Sequence, residues 1–141
     1  MDLKELSQLY YINKEIKRDR ERLDQLRATQ FKLSSNSDGM PRGTKMIYDP
    51  IAEEIATIID LEEMLKLNIK KRYYEEKKIM VYINSIDDCF TRLIFKMRFV
   101  DCKPWYTIAN EVGGGNTTDT VSKCCYRYLN KKQKKASKMS D

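Results

Sequence analysis

A chain of 141 residues suits one domain or a compact module with an appendage, and 41% apolar and 34% charged residues with only five Gly and three Pro point to a mostly helical protein. Histidine is absent and G-x-x-x-x-G-K-[ST] is missing. The usual acid–base residue, the triads built on it and most transition-metal sites are thereby removed, so neither an enzyme nor a cofactor-binding protein is expected. The net charge of +6 is uneven: residues 1–84 hold 16 Lys/Arg against 15 Asp/Glu, whereas residues 85–141 hold 11 against 6. A basic end suggests a polyanionic partner, with a solvated tail as the plainer alternative.

No signal peptide and no apolar run long enough to span a membrane can be found, which predicts a cytosolic protein with no membrane partner. Cys89, Cys102, Cys124 and Cys125 form no C-x-x-C pair, and in a reducing compartment they count as small apolar residues, some of them core.

The first segment, Asp2 to about Leu33, has no Gly or Pro. Leu9, Ile16 and Leu23 interleave with Ile12, Leu26 and Leu33 at spacings of three and four, interrupted by Asp19. This predicts one long helix with a narrow coiled-coil-like seam. Residues 34–49 carry Ser34, Ser35, Ser37, Gly39, Pro41 and Gly43 and predict a flexible loop. Asp49 and Pro50 suit an N-cap and a first helical position, and Ile51, Ile55, Ile58, Leu65, Ile69 and Ile79 continue a second helix to about Ile83. Residues 1–84 are thus expected as a helical hairpin. Its thin seam is compatible both with a homodimer and with packing on its own C-terminal domain.

Residues 85–130 are expected as a three-helix domain. Ser85 with Asp88 resembles a capping box for a helix from Ile86 to about Phe99, with Ile86, Phe90, Leu93, Ile94 and Met97 on one face. Asp101 to Pro104 is a turn, Trp105 to Val112 a short helix, and Gly113 to Gly115 its end. Asn116, Thr117 or Thr118 then caps a final helix through Val121, Cys124, Tyr128 and Leu129. Residues 131–141 are expected as a basic tail.

A short helix holding Ile108-Ala109, a glycine turn and a second helix opening with polar residues is the form of a helix-turn-helix. Ile108, Val112, Val121 and Cys124 would fill the space between the helices, and Trp105 would anchor the core. The candidate DNA-contacting residues are Asn116, Thr117, Thr118, Asp119, Thr120, Ser122, Lys123 and Arg127, where short polar groups and helix N–H groups favour phosphate. Lys131, Lys132, Lys134 and Lys135, with Lys138 beyond, would add phosphate contacts and salt dependence.

Met97-Arg98-Phe99-Val100, then Trp105 and Ile108-Ala109, then Val121 and Tyr128-Leu129 resemble the C-terminal region of phage late transcription regulators of the ArpU/RinA type. That region is itself similar to region 4 of bacterial sigma factors. The resemblance extends over the N-terminal helix, the Ser/Gly/Pro loop and the second helix. It implies a phage or prophage protein of Gram-positive bacteria that activates late genes in the host cytoplasm by binding double-stranded promoter DNA, with RNA polymerase as a second partner. Carried over by position, Thr117 to Lys123 would open the recognition helix. The interval from Ala109 to Val121 is longer than in typical sigma region 4 and holds three glycines, so its turn geometry is left open. A small-terminase-like packaging subunit and a helical scaffold or anti-sigma-like protein are the alternatives, separable by oligomeric state and by DNA binding.

Overall fold

The computed structural model describes residues 1–35 and 50–139, and the side chains of residues 1–32 and 51–139. Among them the regular elements are all helical, so the fold is all-α. They are α1 (Leu3–Leu6), α2 (Gln8–Ser35), α3 (Pro50–Asn84), α4 (Cys89–Phe95), α5 (Trp105–Val112) and α6 (Thr118–Met139), with a π-helical segment, Lys96–Val100, continuing α4. The predicted loop beyond Ser35 and the predicted Asp49 cap lie outside the described residues. No described helix is long and apolar enough to cross a membrane.

The single N-terminal helix of the sequence analysis is two. Asp2 caps α1 in a capping box with Glu5, each accepting a hydrogen bond from the other's backbone N–H, and α1 closes at Ser7.

Two compact units divide the chain: Met1–Ile12 with Arg72–Asp141, and Asn13–Lys71. In the second, α2 and α3 run antiparallel, because Asp19 meets Asn68 while Arg27 meets Glu62. Leu23, Leu26 and Ile58 are buried in the seam, with Leu61 and Leu65 packed against them. This is the coiled-coil-like packing that spacings of three and four produce. The polar interruption at Asp19 has a partner, and an ion pair joins the two helices further along. Asp19 Oδ2 accepts from Asn68 Nδ2 at 3.3 Å, and Arg27 Nη2 donates to Glu62 Oε1 at 2.6 Å. Ile55 and Ile69, expected in the seam, are instead 39% and 40% exposed. One helix covers only a narrow stripe of its neighbour, so apolar residues off that stripe stay open.

The other unit corrects the expected boundary at residue 84. Leu6 and Leu9 from the N-terminal helices and Ile79 and Ile83 from α3 share one core with Ile86, Phe95, Phe99, Cys125 and Leu129. The helices after residue 85 alone would have little apolar surface to bury, as in other small domains, and the hairpin ends cover Phe95 and Phe99. A second cluster, Ile94, Ile108, Ala109 and Val121, joins α4, α5 and α6.

The start of α4 also differs from expectation. Asp88, and not Ser85, is the N-cap: its Oδ2 accepts from the Thr91 backbone N–H at 3.0 Å and from Thr91 Oγ1 at 2.6 Å. Ser85 Oγ donates backward to the Tyr82 carbonyl, closing α3. Ile86 therefore sits in the connecting turn, and the helical face takes its phase from Thr91, Ile94, Phe95 and Phe99, all buried. Phe90 and Leu93 are left 36% and 45% exposed. In the π segment the Asp101 N–H reaches the Lys96 carbonyl, five residues back, at 3.0 Å. Arg98 then lies 4.5 Å from the Trp105 ring centroid and donates to the Lys103 carbonyl at 3.1 Å, tying this segment to the start of α5.

Candidate nucleic-acid interface

The bend between α5 and α6 is built by glycine. Gly113 has φ 67° and ψ −151°, and Gly114 and Gly115 have φ of 64° and 77°. Side chains rarely tolerate these values, so α5 must end here. Asn116 holds the bend by donating to the Gly113 carbonyl twice, from its backbone N–H at 3.2 Å and from Nδ2 at 2.8 Å. Ile108 and Val121 are wholly buried between the helices beside Ala109, whose lack of bulk permits the approach, and Val112 and Cys124 pack at the edge. Trp105 packs against both cores and meets Tyr126 edge-on at 6.1 Å.

Thr117 caps α6. Its Oγ1 accepts from the Thr120 N–H at 3.2 Å and lies 2.9 Å from Thr120 Oγ1, while its carbonyl takes the Val121 N–H at 3.2 Å. Ser122 Oγ donates to the Asp119 carbonyl at 3.2 Å. The expected DNA-contacting start thus separates into two sets. Asn116, Thr117, Thr120 and Ser122 have polar atoms engaged in the bend and cap, and Asn116 and Ser122 are half-buried. Thr118, Asp119, Lys123 and Arg127 are exposed, and their side chains have no partner among the described residues.

The predicted basic tail is corrected as well: α6 continues to Met139 without a break. Its helical course sorts the lysines. Thr120, Lys123, Arg127, Lys131, Lys134 and Lys138 follow one another at spacings of three and four and so share one face. Val121, Cys125 and Leu129 are buried on the opposite side. Lys132 and Lys135 instead continue the line of Tyr128, with Lys132 Nζ 5.8 Å from the Tyr128 ring centroid. The four lysines expected as one run are therefore divided, and Lys138, expected only as the last charge of the tail, joins the exposed face. The spacing from Thr120 to Lys138 is the sequence signal for this division.

Seven Lys/Arg and a single acid, Asp119, lie in α6, and none of these cations forms an ion pair among the described residues. Burial pushes the Cys125 thiol up to about 12, which keeps it a neutral core side chain. No protein-family model, no curated protein and no solved structure matches the chain.

Proposed function

We propose that the chain is a sequence-specific DNA-binding transcription regulator of the ArpU/RinA type, which activates phage or prophage late genes by seating the start of α6 in the major groove of promoter DNA. The observation that carries this reading is the exposed, uncompensated basic face of α6 opening at a glycine bend. A helix about 10–12 Å across fits a groove about 12 Å wide. In that position Arg127 and Lys123 have the chemistry for guanine edges or phosphate, Asp119 can accept from a cytosine amino group, and the positive end of the helix favours phosphate. A homodimer through the hairpin would present two such helices to paired half-sites, and Ile55 and Ile69, left exposed beside the thin seam, are consistent with further packing there. RNA polymerase is the second partner in this reading, within the bacterial host cytoplasm.

The test is a mobility-shift titration of the full chain on duplex DNA from upstream of its own gene and from adjacent late promoters, at low and moderate salt. A shift at low salt that weakens with salt, and that favours one sequence over scrambled competitor, is expected. No shift of any duplex at low salt refutes the proposal.

A further inference from the structure

We infer that the exposed face of α6 from Lys123 to Lys138 is one continuous, rigid phosphate-contacting edge for duplex DNA, in place of a reading start followed by a loose charged tail. This deepens the proposed function and rests on it. The helix is unbroken from Thr118 to Met139, so Lys131, Lys134 and Lys138 rotate only with the residues before them. That rotation is set by the core: Val121, Cys125 and Leu129 are buried, and Tyr128 meets Phe95 edge-on at 5.4 Å. Lys123, Arg127, Lys131, Lys134 and Lys138 are consequently held along about 22 Å of helix at 1.5 Å per residue.

Charge complementarity selects the occupant. The face carries five cations, all exposed and without an ion-pair partner among the described residues. Duplex DNA offers one negative charge per about 1.7 Å of axis, a density that matches a line of cations better than isolated acidic groups on a protein would. A straight rod cannot follow the curving major groove for the full length of α6. With its first turns between the strands, its later turns rise toward one phosphate strand, where Lys131, Lys134 and Lys138 meet it. Lys132 turns toward the buried side and Lys135 to the flank beside Tyr128, so neither stands in the line of the edge.

The experiment compares Lys131→Gln with Lys134→Gln against Lys132→Gln with Lys135→Gln in the full chain. A third variant has one Ala inserted between Asn130 and Lys131. The two pairs remove equal charge, and Gln keeps helix propensity. The insertion keeps every charge but rotates the later lysines by about 100° off the face. Affinity for a labelled duplex is read by fluorescence anisotropy between 50 and 200 mM salt. With about 0.9 counterions released per phosphate neutralised, five such phosphates give about a 500-fold loss over that range and three give about 40-fold. The on-face pair should fall to the lower value, the insertion, which leaves only Lys123 and Arg127 on the face, should fall further, to about 12-fold, and the off-face pair should keep the wild-type slope. Equal slopes for both pairs, or an insertion without effect, would overturn the rigid edge, as would tighter binding to single-stranded DNA or RNA than to duplex. If the unaltered chain binds no duplex at low salt, the proposed function itself fails, a result distinct from these.

Discussion

Replacing Leu9 with Ala should destabilise the helix-turn-helix domain, although Leu9 stands near the other end of the chain. Its side chain is 1% exposed and shares a core with Ile79, Ile83, Phe95, Phe99, Cys125 and Leu129. Truncating a fully buried leucine removes its transfer free energy and leaves a cavity that the neighbours only partly close, at a cost of about 2–5 kcal/mol. Small proteins have urea slopes of about 1–3 kcal/mol/M, so a loss near 3 kcal/mol lowers the midpoint by about 1.5 M. The protein reports on this core without labelling. Its single tryptophan, Trp105, packs against the same cluster, so its emission follows the unfolding of that unit. Leu26→Ala is the control, since Leu26 is 7% exposed in the hairpin seam of the other unit, and it should move the Trp105 midpoint less. A Leu9→Ala chain with an unchanged Trp105 midpoint would refute the shared core and restore a self-sufficient domain beginning at residue 85.

Other perturbations probe the cap, the bend and the interface. Hydrogen bonds from the Thr91 hydroxyl and backbone N–H hold the Asp88 carboxyl below its ordinary value. A depressed folded value stabilises above the unfolded one and is lost as pH falls through the folded one, so Asp88→Ala should lower the urea midpoint at pH 7 by an amount that shrinks as pH drops below the ordinary Asp range. A gap that persists unchanged in strong acid would contradict the carboxylate cap. At Gly113 an added Cβ meets nothing within 4 Å, yet φ is 67°, so Gly113→Ala should cost about 1–3 kcal/mol in thermal or urea unfolding through backbone strain alone. Wild-type stability would show that the bend is not held in this conformation. Lys123→Ala combined with Arg127→Ala should leave the far-UV helix signal unchanged and weaken binding to the preferred duplex, by about 1–3 kcal/mol for each base that is no longer recognised. Undiminished affinity would remove these two residues from the interface.

Much of this architecture is legible one residue at a time. Spacings of three and four announce α2 and α3, Pro104 and Gly113 to Gly115 bracket α5, and the polar residues after the glycines mark the start of α6. The candidate interface is less evenly legible. Lys123 and Arg127 are exposed as expected, but nothing in their composition separates Thr118 and Asp119, whose side chains stand open, from Thr117 and Thr120, which cap the helix. Choosing among adjacent hydroxyls depends on backbone direction at the bend. The lysine run reads as a tail because a polar segment has no apolar period to reveal its helix.

Helix positions and breaks follow from local chemistry: side chains three or four residues apart, proline's fixed φ and glycine's freedom at positive φ act within a few residues of chain. Partnership in the cores does not. Leu6 and Leu9 belong with Phe95 and Phe99, Thr91 replaces Phe90 on the covered face of α4, and Ile55 is left open, because burial is settled by elements that meet across long stretches of sequence. The same packing sets the rotation of α6, and with it which lysines form the exposed basic face.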